Sequence, residues 1–387
     1  LGVDTVANAI GTLRVDNLGM ERIGDSLAWR ESDLLLSNMA IRLPKELYAF
    51  KVKSLKLGLA DKVFEMDSMA IIPTVSRRNF MKQYGKEIDY IKGIIPYIRI
   101  SGLTLRGKPL LTINAEKISL NLRLEVYRDK RWPFIKDYYT ALPIHSLQRL
   151  PIHLKIDTIQ LSDSFVSYEE FPEKGDSAGG VFFDKLNATI ASINNDPAFQ
   201  QASNMKASAQ LMGKGDLVVN FTFPYDTLQA YGVSGSLQNF PLVKLNSMLG
   251  PAAKARIESG VMTNLKFNYR YNPTRADGEV ELNYENLKVL SLRENNKNEA
   301  SVDVLKTLLV SALIRKDMDE TVREDKKTGT VLFYRDTKRS VLNYWWKSLF
   351  SGIKSAYNID KLQERFAPKN GKKKTDRTKK RRNSEKK

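Results

Sequence analysis

His145 and His153 are the only histidines in this 387-residue chain, and it has no cysteine. Thiol nucleophiles, disulfide frameworks and zinc–cysteine centres are therefore excluded. The two imidazoles flank Pro151 with no serine-nucleophile motif beside them, and they read as structural. Glu169 and Glu170 are consecutive at a strand end, so their carboxylates point to opposite faces, the wrong geometry for paired acid–base work. Asp317, Asp319 and Glu320 lack the glycine that a calcium loop needs at its sixth position. Asn187-Ala188-Thr189 and Asn220-Phe221-Thr222 match the glycosylation triplet within strands, as chance produces. No phosphate-binding GxxxxGK[ST], strand-linked GxGxxG, GxSxG elbow or HExxH occurs. The chain is expected to be no enzyme and to hold no metal or cofactor.

What remains is the chemistry of surfaces, and the elements that present it are strands. Apolar and polar residues alternate from about residue 50 to 292. Ile118, Leu120, Leu122, Leu124 and Val126 form one such series, Leu217, Val219, Phe221 and Phe223 another, and Leu265, Phe267, Tyr269 and Tyr271 a third. Successive side chains of a strand face opposite ways, so each segment has one oily side and one wet side. Turn signals such as Arg106-Gly107-Lys108-Pro109 and Gly213-Lys214-Gly215-Asp216 separate them. Alternation slips by one residue between Ile156 and Ile159, which predicts a bulge at Asp157-Thr158. The count is a dozen to sixteen strands, too many for a flat sheet. The predicted fold is mainly β: a long curved antiparallel sheet, a taco-like groove, with short crossover helices and carboxyl-terminal amphipathic helices.

Helices are predicted over Thr5–Arg14, Arg77–Lys92 (polar and exposed, or a loop), Pro241–Met248, Pro251–Arg256, Ser301–Asp319 and Ser340–Tyr357, with a strand at Gly329–Tyr334. Hydrophobic residues make up 42% and charged residues 27%, enough for a core, yet no apolar run reaches the eighteen residues of a membrane-spanning helix. Of the net charge of +18, the segment Pro368–Lys387 supplies eleven Lys and Arg against Asp376 and Glu385. That tail reads as disordered. Four parts follow: residues 1–150, the amino-terminal part of the groove; 151–295, a second β part; 296–367, a helix–strand–helix cap; and 368–387, the basic tail. The first residue is Leu1, so a preceding segment is expected to have been removed.

Three surfaces are candidates for function. The oily sheet face is predicted to take acyl chains through Ile118, Leu120, Leu122, Leu124, Val126, Leu217, Val219, Phe221, Phe223, Leu265, Phe267 and Tyr269. Helix 340–357 places Trp345, Trp346, Leu349, Phe350 and Ile353 on one stripe with Lys347 and Lys354 beside it, a pattern that suits the headgroup layer of a membrane. The tail suits an anionic lipid surface; no aromatic residue interleaves with its charges, so nucleic acid is not expected. The alternatives are a scaffold whose sheet faces pack into a closed sandwich and, less favoured, an outer-membrane β-barrel.

Several segments resemble AsmA-like envelope proteins. Ile257-Glu258-Ser259-Gly260-Val261, followed by Ala276-Asp277-Gly278-Glu279-Val280-Glu281-Leu282-Asn283-Tyr284-Glu285-Asn286-Leu287-Lys288-Val289, is similar to their carboxyl-terminal repeat. So are Ile159–Glu170 and Gly179–Phe183, while Phe333–Lys354 resembles the Bacteroidota versions. The resemblance covers residues 150 to 360 and extends to the first 150 in style alone. It implies a periplasmic β-groove related to bridge-like lipid transfer proteins, with an inner-membrane anchor helix expected in a segment missing from this chain. It also implies a role in outer-membrane biogenesis, with phospholipid and envelope proteins as partners.

Overall fold

The computed structural model describes residues 8–23, 26–42, 47–58, 60–107, 111–133, 139–173, 177–196, 200–249, 255–291 and 327–356. Its fifteen strands are β1 (Asn8–Ile23), β2 (Ser26–Arg42), β3 (Tyr48–Gly58), β4 (Val63–Pro73), β5 (Asp89–Ser101), β6 (Thr104–Arg106), β7 (Thr112–Asp129), β8 (His153–Phe171), β9 (Gly179–Asn194), β10 (Ser203–Leu211), β11 (Gly215–Phe223), β12 (Tyr231–Pro241), β13 (Ala255–Tyr271), β14 (Arg275–Ser291) and β15 (Lys327–Tyr334). They form one curved sheet in sequence order, with the short β6 paired to β7 off the main path. Its ends are β1 and β15, which do not pair with each other, so the described strands do not close into a barrel. Every ladder is antiparallel except β7–β8. A parallel pair needs a crossover of a dozen residues or more, and residues 130–152 provide it.

Among the described residues there are four helices: α1 (Arg77–Tyr84), α2 (Pro143–Gln148), α3 (Asn246–Leu249, after a 3₁₀ turn at Leu242–Leu245) and, following β15, α4 (Val341–Ala356). The helix predicted at the amino terminus is strand β1 from Asn8 onward. Ile10 and Leu13 have helical spacing, but pairing across to Ala40 and Leu36, with a register shift between Ile10 and Thr12, makes the segment a strand. The Arg77–Lys92 segment is a shorter helix than predicted and is not wholly exposed. Phe80 and Met81 are buried, the Phe80 ring lying 5.3 Å from Tyr48 and 5.2 Å from Tyr90. Of Pro251–Arg256, residues 251–254 lie outside the described residues and Ala255 begins β13. The predicted helix Ser301–Asp319 and the basic tail also lie outside the described residues.

The strands are long, and their alternation would fail without correction. In β4, Phe64 and Met66 precede a phase slip, and Met69 and Ile71 follow it; Ser68 between them has φ 51°. A residue in the left-handed region bends the strand and returns the next apolar side chain to the same face. The slips line up across neighbours. Met69 pairs with Ile95 and Asp67 with Tyr97, which brackets Pro96. The β5–β7 register shifts between Ile94 and Tyr97, across from Leu122. The Leu122 N–H donates to Ser164 Oγ at 3.0 Å, beside Asp163 at φ 41°. Ser164 pairs with Leu186, next to Lys185 at φ 49°. This seam creases the sheet from β4 to β9 while leaving one face continuously apolar.

The bulge predicted to explain the slip at Asp157-Thr158 is not formed. The register holds from Ile156↔Ile193 to Thr158↔Ala191, and from Ala115↔Ile156 to Lys117↔Thr158. Ser192, across from Asp157, has φ 60°. The slip is shared by β7, β8 and β9, so no residue is left unmatched.

Candidate ligand-binding face

The apolar face can be followed strand by strand, because residues opposed in a ladder point the same way. Leu57, Leu55, Val52 and Phe50 of β3 oppose Phe64, Met66, Met69 and Ile71 of β4. Ile98 and Ile100 of β5 oppose Leu120 and Ile118 of β7, which stand beside Leu161 and Ile159 of β8. Ile190 and Ala188 of β9 lead to Met205 and Ala207 of β10, then to Phe221 and Val219 of β11. Val233, Tyr269, Val280 and Val331 continue it on β12 to β15. None of the oily residues of β3, β4 and β5 is among the predicted acyl-chain residues, because the phase slips at the seam put them out of step with a fixed period of two.

From β11 onward the chain covers this face itself. All members of the main buried cluster belong to residues 212–356, apart from Leu142 and Ile144 around the start of α2. Helix α4 lies on β14 and β15 at close range: a methyl group added to Gly329 would fall 2.1 Å from the Gly352 carbonyl oxygen. The Trp345 ring sits 4.5 Å from Phe221, and Tyr269 Oη donates to the Trp345 carbonyl at 3.1 Å. Tyr344 Oη donates to the Asn272 carbonyl at 3.1 Å. Burial raises the hydroxyl pKa values of Tyr269 and Tyr344 above the ordinary tyrosine value, so both remain neutral donors.

The predicted acyl-chain residues therefore separate into two groups. Phe221, Phe223, Leu265, Phe267 and Tyr269 are buried in the α4-covered cluster, with Leu217 and Val219 packed against it. They serve as protein core, because the α4 stripe read as membrane-facing is turned toward them. Ile118, Leu120, Leu122, Leu124 and Val126 are half-buried at the middle of β7. Among the described residues, no helix reaches them. On α4 itself, Trp345, Leu349 and Ile353 pack on the sheet and Phe350 is buried. Trp346 and Leu342 are exposed, and Lys347 and Lys354 are half-buried. The helical period of Ser340–Tyr357 is thus correct, but most of its oily side faces inward.

An ionic cluster bounds the uncovered stretch where β5 begins and β7 and β8 end. Arg128 takes Asp89 through Nε and Nη2 at 2.7 and 2.9 Å. Glu87, its side chain 3% exposed, accepts from Arg339 Nη1 at 2.7 Å. Lys130 meets Glu170 at 2.6 Å, and Tyr168 Oη donates to the same carboxylate at 2.8 Å. Burial, with the Glu170 charge behind it, pushes the Tyr168 hydroxyl far up. The Arg339–Glu87 contact joins the segment after β15 to the residue before β5, although β7 to β14 intervene in the sheet. Arg335 from the same segment donates to the Thr140 carbonyl in the β7–β8 crossover, and Thr140 N–H donates to Thr337 O at 2.8 Å. The sheet is therefore curled far enough to bring distant strand ends together.

His145 lies on α2 with Nδ1 3.4 Å from Tyr231 Oη, and burial, then Arg149 and Arg335, lower its pKa. The pair is a core contact with no nucleophile or carboxylate aligned to it. Comparison with protein-family models finds no match, and comparison with curated proteins finds none either.

Proposed function

We propose that this chain handles lipid without catalysis, holding acyl chains along the part of its apolar sheet face that runs from β3 to β9. One observation carries the reading. A single continuous face of Val, Ile, Leu, Met and Phe is roofed by the protein's own helix in one half, while in the other its described residues, apart from the buried Val52 and Met66, are only half-buried. Each methylene withdrawn from water contributes about 0.8 kcal/mol, so ten methylenes on that stretch contribute roughly 8 kcal/mol. No polar ligand group is required, which fits a chain without a catalytic motif. Phospholipid is the expected ligand, with headgroups in water. The cell envelope is the expected setting, periplasmic and tied to the inner membrane, in the manner of the AsmA-like proteins it resembles. Leu342 and Trp346 of α4, with the basic tail, are the expected contacts to an anionic membrane.

The test is native mass spectrometry and lipid extraction of protein purified without detergent. Co-purifying phospholipid, lost in Leu122→Asp while the protein stays folded, is the expected result. Repeated lipid-free spectra of the unaltered chain would overturn it. The scaffold alternative draws on the covered half, and it predicts that Leu122→Asp unfolds the protein as readily as Phe267→Asp.

A further inference from the structure

Beyond the strand ends lies a cleft of about 680 Å³, lined by Arg78, Asn79 and Lys82 of α1 and by Asp129, Arg131 and Trp132 where β7 runs out. Arg78 and Lys82 are four residues apart, so they rise from one side of the helix. Both are exposed, and neither has an acidic partner among the described residues. The cleft's one carboxylate is already engaged. Asp129 accepts from Arg131 Nε at 2.9 Å, from Nη2 at 2.7 Å and from the Arg131 backbone N–H at 3.1 Å. That bonding to Arg131 holds Asp129 below its ordinary pKa, so it stays ionised and paired.

Both walls are fixed. The Arg131 guanidinium lies 3.6 Å from the centre of the Phe171 ring, which sets its plane, and beside Asp129 it also meets the Tyr127 hydroxyl. On the other wall α1 is pinned by Phe80, and its Arg77 lies 3.6 Å over the Tyr127 ring and bonds Glu169. The cleft thus presents two cations unpaired among the described residues, Arg78 and Lys82, beside the Arg131–Asp129 ion pair. A planar guanidinium fork beside a lysine and a second arginine matches the oxygens of a phosphate group.

We propose that this cleft binds phosphate-bearing anions through Arg78 and Lys82, with the guanidinium of Arg131 forming the facing wall. The proposal is independent of the acyl-chain reading, because the cleft lies on the Tyr127 side of β7 and Val126 faces the other way. A solvated basic face would bind phosphate no better there than elsewhere, and the test is built on that difference.

The full chain is titrated calorimetrically with inorganic phosphate at low salt. Saturable single-site binding is expected, weakened by about tenfold or more in the double variant Arg78→Ala/Lys82→Ala. The double variant Lys266→Ala/Arg270→Ala removes equal charge from exposed positions of β13 and is expected to stay within about twofold. Circular dichroism checks that both remain folded. Absence of saturation, or equal weakening by the two variants, overturns the proposal. Flotation with phosphatidylcholine vesicles, with and without phosphatidic acid, then separates the sources. Binding to the acidic vesicles that the α1 variant loses identifies a lipid headgroup. Vesicle binding that ignores the variant, with the phosphate site intact, identifies a soluble phosphate compound.

Discussion

The strands from β11 to β15 and those from β3 to β9 carry the same alternation and share one apolar face, yet they differ in what lies over it. In the first group, Leu265, Tyr269, Val280 and Val331 are each at most 3% exposed beneath α4. In the second, Ile98, Leu120, Leu122, Ile159 and Ile190 are only half-buried by neighbours in their own sheet. Alternation therefore builds the face, while segments outside the sheet decide whether it becomes core or surface. Helix α4 and the β7–β8 crossover are those segments. Small residues admit α4, with Gly329 and Gly352 meeting backbone to backbone and Ser348 fully buried.

The largest effect should come from placing a charge under the roof. Phe267→Asp buries an unpaired carboxylate beside Tyr269 and is expected to cost about 4 kcal/mol in urea unfolding. Gly329→Val attacks the roof from below, forcing a branched side chain into the Gly352 carbonyl. It should cost about 3 kcal/mol and raise hydrogen exchange in β14 and β15. Glu87→Gln loosens the contact that joins the two halves, leaving Arg339 without its buried anion, at about 2 kcal/mol. Because Glu87 is enclosed, added salt should change that difference little. Ser351→Ala with Ser355→Ala should cost about 1 kcal/mol. Leu122→Asp should cost the least, under about 1 kcal/mol, while removing bound lipid. Equal losses for Leu122→Asp and Phe267→Asp would erase the distinction between the two regions.

Much of the fold was legible in the sequence because a strand's period of two is a local property. Ile118 to Val126 and Leu265 to Tyr271 declare their faces within a few residues, and Val341–Ala356 declares its helix. The orientation of that helix was not legible. Its aromatic stripe with flanking lysines suits a membrane surface or a protein core equally well, and only the complementary strand face, some seventy residues earlier in the chain at Tyr269 and Tyr271, selects the core. The uncovered stretch was only partly legible. Alternation at β7 is unbroken, but Ser68, Asp163 and Lys185 displace it in β4, β8 and β9, so the oily residues there fall out of phase with a fixed period. The cleft at Arg131 was invisible, since α1 and β7 meet only through the curl of the chain.

The last strand of the sheet has one further property. Its outward amides at Thr330 and Leu332 donate to Ser355 Oγ and Ser351 Oγ at 3.1 and 3.2 Å, so two hydroxyls of the roofing helix take the place of a neighbouring strand. At those two positions the border has no free donor to offer another polypeptide, which weakens it as a template for stacking copies of the chain.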